Sequence, residues 1–184
     1  MQDPTAVTMF LCANCARPGK EPTSAGRTRP VVPEFNLPGR VDRIVVPCTG
    51  RLQPEHILRA LESGSSIVSV VGCEDDNCHY AEGSRRCALR IEYIRSILGE
   101  IGLGDGRLLF FHLPGSASQD LEAATGKSAR PFTSELLNAQ IADLRARMIA
   151  ALQSQPPNPL ARFSPQVPSA NSAGQDFGEG DTDE

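Results

Sequence analysis

Four short apolar runs, rich in β-branched residues, are spaced along the first 111 residues and separated by polar or proline-containing segments. Runs of this length predict β-strands, and nearly continuous apolar character is typical of strands covered on both faces. The second run, with Ile44, Val45 and Val46 in succession, is therefore expected to be covered on both faces. The predicted strands are residues 6–11, 41–47, 67–72 and 108–111.

Helical spacing of apolar positions separates the later strands. The clearest case is residues 84–101, where Cys87, Ile91, Ile94 and Leu98 recur at alternating spacings of four and three and so share one face. The other predicted helices are one that begins near Pro54 and stops at Gly64, a short one with a capping box at Ser116 and Gln119, and a long one over residues 134–152.

Strands that alternate with helices predict an α/β fold with a small doubly wound, mostly parallel sheet of the flavodoxin or Rossmann type. Residues 16–39 carry five prolines and are expected to form a long ordered loop. The expected organisation is an α/β core over residues 1–115, a helical part of the same domain over 116–152 and a Pro/Ser-rich acidic tail over 153–184. The tail is poor in apolar surface, so it is expected to be disordered or ordered only by a partner.

Charge and hydropathy exclude some classes of function. The net charge is −4 and the pI is about 5.4, which does not create the basic field that nucleic-acid binding requires. No apolar run approaches the roughly 20 residues of a membrane span, and no basic segment followed by a long apolar one suggests a signal peptide. We therefore expect a cytoplasmic protein.

Five of the six cysteines follow predicted strands, three of them directly. Cys12 and Cys15 come after the first strand, Cys48 after the second, and Cys73 and Cys78 after the third. Because the carboxyl ends of parallel strands meet at one edge of a sheet, we expect these cysteines to converge there. In a reducing compartment such a set is typical of metal binding or redox chemistry rather than structural disulfides.

Spacing alone leaves the kind of site open. Iron–sulfur clusters and zinc both accept four thiolates, and a thiol–disulfide protein is a third alternative. Five thiols exceed four positions, and the sequence does not identify the extra one. Arg51 and His79 are adjacent candidates for contacts around such a site, whereas Cys87 lies on an apolar stripe and is expected to be a buried, inert thiol. No nucleophile elbow, phosphate-binding loop or carboxylate pair indicates catalysis by the chain itself.

Three motif blocks between Val7 and Gly115 resemble a known family. They are Cys12-x-Asn14-Cys15, then Val46-Pro47-Cys48-Thr49-Gly50-Arg51 with Pro54-Glu55, then Gly72-Cys73 with Asp76-Asn77-Cys78-His79-Tyr80, Glu82-Gly83 and Arg86. Together they are similar to the delta, iron–sulfur subunit of methyl-viologen-reducing hydrogenase.

The resemblance implies one 2Fe–2S cluster held within the set Cys12, Cys15, Cys48, Cys73 and Cys78. It also implies a non-catalytic electron-transfer subunit of an oxidoreductase complex in anaerobic metabolism, often one that performs flavin-based electron bifurcation. The implied partners are a hydrogenase, formate dehydrogenase or other oxidoreductase module, together with a heterodisulfide-reductase-like flavin subunit.

Overall fold

The computed structural model describes residues 6–15, 20–22, 28–30, 34–75, 78–113 and 134–162. In these residues, the strands are β1 (Ala6–Cys12), β2 (Lys20–Pro22), β3 (Thr28–Pro30), β4 (Arg40–Val46), β5 (Ile67–Cys73) and β6 (Leu108–Leu113). The α-helices are α1 (Pro54–Glu62), α2 (Gly83–Glu100) and α3 (Ser134–Ser154). Short 3₁₀ turns lie at Thr49–Arg51, Asp105–Arg107 and Pro159–Arg162.

The main sheet has the strand order β4-β1-β5-β6, and each neighbouring pair is parallel. The chain leaves β1 in one direction to form β4 and then returns past β1 to form β5. The topological switch point, where ligands of such sheets bind, therefore lies between β1 and β5 at their carboxyl ends. The predicted α/β class with a parallel sheet is confirmed.

Helices cover both faces of the sheet, as a doubly wound fold requires. On one face α3 packs through Leu137, Leu144 and Met148. On the other face α1 and α2 contribute buried residues that include Ile57 and Ile91. All seven residues of β5 are buried, and burial of each large aliphatic side chain contributes roughly 1.5–3 kcal/mol to folding. This two-sided core fixes the positions of the strand ends.

The helix that begins at Pro54 ends as its sequence predicts. Gln53 precedes it, and the Gln53 backbone N–H donates to His56 Nδ1 at 3.0 Å. Gly64 follows with a φ of 97°, a left-handed conformation that costs glycine little. The turn leads the chain directly into β5.

The expectation that the second predicted strand is covered on both faces is wrong. That strand is β4, which lies at the edge of the sheet and pairs only with β1 among the described strands. Ile44 is 43% exposed and Val45 is 42% exposed. An apolar run indicates a local preference for an extended conformation. The position of the strand within its sheet depends instead on the chain topology.

The proline-rich segment after β1 contains an element that the sequence analysis did not predict. Strands β2 and β3 pair antiparallel, with Lys20 opposite Pro30 and Pro22 opposite Thr28. Proline is tolerated in such short, two-stranded edges because it removes few ladder hydrogen bonds. The rest of this segment, up to residue 33, lies outside the described residues.

The amino end of the sheet is closed by a buried arginine. Arg107, at the entrance to β6, is 1% exposed. Its guanidinium donates four hydrogen bonds, to the carbonyl oxygens of Leu103 (2.7 Å), Ser66 (3.1 Å), Pro156 (2.7 Å) and Pro157 (3.4 Å). The segment after α3 is thereby attached to the loop before β5.

Asn158 attaches the same segment a second time. It is 4% exposed, and its Nδ2 donates to Leu61 O at 2.7 Å and to Ser65 O at 2.8 Å. The described residues that follow α3 thereby pack against the turn between α1 and β5. The remainder of the predicted tail and the predicted helix at Ser116 and Gln119 lie outside the described residues.

Among the residues described, no helix combines the length and the apolar character needed to cross a lipid bilayer.

Candidate metal centre

Three cysteine sulfurs meet at the switch point of the sheet. Cys12 ends β1, Cys73 ends the neighbouring strand β5, and Cys15 lies in the turn after β1. Cys15 Sγ lies 3.2 Å from Cys73 Sγ, and Cys12 Sγ lies 3.7 Å from Cys73 Sγ. All three sulfurs lie within 4.8 Å of one another, and no carboxylate or imidazole of the described residues joins the group. We call Cys12, Cys15 and Cys73 the sulfur triad.

The other two predicted cysteines lie beside the triad at the start of α2. Cys48 follows β4 and is 5% exposed, and Cys78 precedes α2 and is 2% exposed. Both sulfurs approach Gly83, because a methyl group built on Gly83 would overlap Cys48 Sγ and lie 3.5 Å from Cys78 Sγ. Cys78 is also close enough to Cys73 for each thiol to shift the pKa of the other. We call Cys48 and Cys78 the helix pair.

Hydrogen bonds tie the loop of the triad to the loop of the helix pair. The Ala13 backbone N–H donates to Val46 O at 2.8 Å, and Asn14 Nδ2 donates to Pro47 O at 3.0 Å. Since Pro47 directly precedes Cys48, these bonds hold the cysteine loops after β1 and β4 side by side. All five predicted cysteines thus lie at one edge of the sheet, as the topology argument anticipated.

The backbone supplies N–H donors to several of these sulfurs. Gly50 N–H donates to Cys48 Sγ at 3.4 Å. Contacts from Cys73, together with the N–H groups of Ser84, Tyr80 and Gly83, lower the pKa of Cys78 to about 5. The hydrogen bond with Cys73 is the largest cause, and the N–H groups at the start of α2 add to it, since an N-terminal helical turn favours negative charge.

Within the sulfur triad, the pKa values of neighbouring thiols are shifted in opposite directions. Hydrogen bonds from Cys15 and Cys73 lower the pKa of Cys12 to about 2, whereas burial raises the pKa of Cys15 and hydrogen bonds with Cys12 raise that of Cys73. Contact among the three thiols therefore favours ionisation of part of the group and opposes loss of the remaining protons. A metal would displace those protons, because thiolates are the ligating species.

Two buried hydroxyl groups at the same edge have no hydrogen-bond partner among the described residues. Thr49 Oγ1 and Ser84 Oγ are both shielded from solvent. Both approach Gly72, where an added methyl group would lie 2.8 Å from Ser84 Oγ and 3.2 Å from Thr49 Oγ1. Ser69 Oγ and Gln140 Oε1 are the other buried side-chain atoms without a partner among the described residues.

The remaining sequence candidates are exposed or lie in the core. The Arg51 side chain is exposed, and His79 is exposed with its ring in edge contact with Tyr80, 4.9 Å between centroids. Cys87 is 1% exposed in the core between α2 and the sheet, and burial raises its pKa to about 12. The predicted burial of Cys87 is confirmed.

Sequence reasoning assigned no role to three residues that shape this edge. Gly50 and Gly83 are in backbone contact, and Arg90 donates to the carbonyl oxygen of Gly50 at 2.6 Å. The sequence could have pointed to both glycines, because each lies within five residues of a predicted ligand cysteine. The sequence does not distinguish Arg90 from other arginines on helices, because a helical arginine is most often a solvated surface residue.

Comparison with known proteins adds an independent line of information. Residues 7–131 match the sequence profile of the family described as methyl-viologen-reducing hydrogenase, delta subunit. The F420-non-reducing hydrogenase vhu iron-sulfur subunit of Methanopyrus kandleri is 29% identical over 136 residues, which cover 74% of this chain and 97% of that protein. The F420-non-reducing hydrogenase iron-sulfur subunit of Archaeoglobus profundus is 35% identical over 82 residues, which cover 45% of this chain and 60% of that protein.

A third relative is much larger. It is one of the subunits of the ferredoxin:CoB-CoM heterodisulfide reductase of Methanosarcina mazei, and it is 33% identical over 102 residues. These cover 55% of this chain but only 12% of that protein. A segment similar to this chain therefore also exists inside a heterodisulfide reductase polypeptide.

Proposed function

This chain belongs to the delta subunit family of methyl-viologen-reducing hydrogenases, and from that premise we propose that it is an electron-transfer subunit carrying one 2Fe–2S cluster. The family resemblance inferred from the motifs is confirmed by the match over residues 7–131. The proposed ligands are drawn from the sulfur triad and the helix pair. The subunit turns over no organic substrate itself.

The convergence of the sulfur triad carries this proposal. Three buried sulfurs from two neighbouring strand ends lie within 4.8 Å of one another, with no oxygen or nitrogen ligand of the described residues among them. Iron–sulfur clusters are held mostly by thiolates, whereas magnesium and calcium prefer oxygen ligands. A 2Fe–2S cluster bound here would accept and release single electrons.

Residues around the sulfurs also fit such a group. The N–H groups of Gly50, Gly83 and Ser84 point toward the helix pair, and N–H donors to sulfur tune the reduction potential of a cluster. The unpartnered hydroxyls of Thr49 and Ser84 lie in the same region. Backbone and side chain together exclude water and provide donors suited to a negatively charged centre.

The proposed partners are a hydrogenase, formate dehydrogenase or other oxidoreductase module, together with a heterodisulfide-reductase-like flavin subunit. Support comes from the relative in which a similar segment forms part of a heterodisulfide reductase polypeptide. Domains found fused in one protein commonly associate when they are separate chains. Electron transfer within an anaerobic, flavin-based bifurcating complex in the cytoplasm is the cellular role that we propose.

A zinc-stabilised interaction module is the second candidate. The Cys12–Cys73 distance of 3.7 Å suits two ligands of a single tetrahedral ion with metal–sulfur bonds of about 2.3 Å. Zinc in such a site is redox-silent and contributes to folding.

Metal and sulfide analysis of anaerobically purified protein separates these candidates. We expect iron and acid-labile sulfide in equal amounts, at about two of each per chain, with visible absorption that bleaches on reduction. Zinc at one equivalent without sulfide would instead establish the interaction module. Metal-free protein with a disulfide between triad residues would establish a thiol–disulfide protein.

A further inference from the structure

The loop that carries Cys48 is fastened to the first turn of α2 without intervening side chains. A methyl group built on Gly50 would lie 2.8 Å from both the Cα and the carbonyl oxygen of Gly83. Contacts this short exclude any side chain at Gly50 unless the two backbones separate. The Cys48 sulfur in turn occupies the space that a side chain on Gly83 would need.

Arg90 fixes the same loop from further along α2. Its Nη1 donates to Gly50 O at 2.6 Å and to Leu52 O at 3.1 Å. The Arg90 side chain crosses from the helix to the turn that directly follows Cys48, so the helix holds that turn at two points. One point is the glycine contact and the other is the guanidinium.

The position of this turn determines where the Cys48 sulfur lies and what it accepts. Gly50 N–H donates to Cys48 Sγ, and the carbonyl of the same residue accepts from Arg90. A shift of the turn would therefore move the sulfur and its N–H donor together. It would also separate Cys48 from Cys78, which contacts the same glycine.

We propose that Arg90 is a positioning residue for the metal centre, holding Cys48 beside Cys78 so that the helix pair ligates one iron. This rests on the proposed function, and it deepens it by making Cys48 a ligand and by leaving the fifth, unused thiol within the sulfur triad. Arg90 acts through Gly50 and Gly83 and touches no sulfur itself.

Arg95 provides a matched control on the same helix. It likewise donates to a backbone carbonyl, Leu108 O at 3.0 Å, and is partly buried. Leu108 begins β6 at the amino end of the sheet, away from the cysteines. Replacing either arginine removes tertiary hydrogen bonding from α2 to backbone carbonyls, two bonds for Arg90 and one for Arg95, so only an effect confined to Arg90 reports on the metal centre.

The first test compares Arg90→Gln with Arg95→Gln in the full-length, cluster-loaded protein. We expect Arg90→Gln to change the EPR g-values of the reduced cluster and to raise the rate of iron loss to a chelator by about tenfold, the size expected for one charged hydrogen bond. Arg90→Lys should restore part of the wild-type g-values and part of the resistance to chelation, since an ammonium group reaches one carbonyl. Arg95→Gln should leave the g-values and the chelation rate at wild-type values.

The second test uses the two helical glycines. Gly83→Ala forces a methyl group onto the Cys48 sulfur, whereas a methyl group on Gly99 meets nothing within 4 Å. Gly83→Ala should reproduce the spectral change of Arg90→Gln, and Gly99→Ala should not. Unchanged g-values and chelation rates in both Arg90→Gln and Gly83→Ala would overturn the proposal.

A third measurement keeps the positioning role separate from the cluster assignment. In metal-free protein, peptide-resolved alkylation reports how well each thiol is shielded. We expect Arg90→Gln to raise the alkylation rate of Cys48 by about tenfold relative to Arg95→Gln, with Cys87 unchanged in both. If the wild type binds no iron, the cluster assignment fails while this result still decides whether Arg90 positions Cys48. Equal Cys48 rates in the two variants would contradict that role.

Discussion

The two ends of the parallel sheet differ in how their buried polar groups are paired. At the amino end, Arg107 and Asn158 are buried, and their donor groups are matched by backbone carbonyls. At the carboxyl end, five cysteine thiols converge, and the hydroxyls of Thr49 and Ser84 have no partner among the described residues. The buried donors described at the amino end are satisfied within the chain, whereas the carboxyl end gathers the five thiols to which we assign the proposed cluster.

This contrast assigns separate roles to the two ends. Buried polar groups that are fully satisfied rigidify a fold, whereas unsatisfied ones cost free energy unless a ligand binds. Changes at the amino end should therefore alter stability without altering metal content. Changes at the carboxyl end should alter metal content, and stability only as far as the bound metal contributes to it.

Replacing the central sulfur should have the largest effect. Cys73 contacts both other members of the triad, so Cys73→Ala removes the sulfur that links the two strand ends. We expect iron per chain to fall by at least about tenfold, because the contacts of Cys73 with both other sulfurs favour it as a ligand and leave Cys12 or Cys15 as the unused thiol. Iron and sulfide assays on monodisperse, anaerobic protein provide the measurement.

Cys87→Ala is the matched control for that variant. Cys87 is as buried as Cys73, at 1% exposure, but it lies in the core beneath α2. We expect wild-type iron content and a loss of about 1 kcal/mol of unfolding free energy, as for removal of a small buried group. Loss of iron on Cys87→Ala would place this thiol in the metal centre and break the comparison.

The second largest effect is expected at the amino end. Arg107→Met leaves four carbonyl oxygens without their donor and should reduce the free energy of unfolding by about 3 kcal/mol. Anaerobic urea denaturation followed by circular dichroism measures this loss. Iron per folded chain should stay at the wild-type level, and a proportional fall in iron would show that the two ends are not independent.

A smaller loss of unfolding free energy is expected for a substitution at Asn158, in the segment that follows α3. Asn158→Ala removes hydrogen bonds to Leu61 O and Ser65 O and should cost about 1–3 kcal/mol. Because Asn158 and Arg107 hold the same segment, the double variant should lose less than the sum of the single losses. Strict additivity in the denaturation series would indicate that the two side chains hold the segment independently.

Much of the fold could be predicted from local pattern, because buried strands and amphipathic helices impose it residue by residue. Strands β1, β5 and β6 and all three helices follow the predicted segments. The exposure of β4 could not be predicted, since an edge strand and a central strand can share the same apolar run. The packing of Asn158 depends on carbonyls nearly a hundred residues earlier in the chain, which composition does not encode.

The convergence of the cysteines was predictable for a different reason. Parallel topology brings strand ends together whatever the loops contain, so Cys12 and Cys73 meet as a consequence of adjacent strands. The backbone contact of Gly50 with Gly83 was not predictable, because it depends on how a loop lies across a helix. Local sequence therefore specified which residues are ligand candidates, and tertiary packing specified how they are held.

The smallest predicted effect concerns Gly99, near the end of α2. A methyl group added at Gly99 has no other atom within 4 Å. Gly99→Ala should therefore stabilise the protein by less than about 1 kcal/mol, because alanine lowers the conformational entropy of the unfolded chain. Thermal unfolding of the anaerobic protein measures this gain. A destabilisation would mean that this part of α2 is covered in solution.

Mössbauer spectroscopy of ⁵⁷Fe-labelled, anaerobically purified protein asks whether the converging thiols hold a binuclear cluster. We expect the oxidised protein to contain only ferric iron in tetrahedral sulfur coordination, coupled into a diamagnetic pair. Reduction should convert half of the iron to the ferrous state. Iron in a mononuclear site, or zinc in place of iron, would contradict the assignment of a 2Fe–2S cluster to the carboxyl end of the sheet.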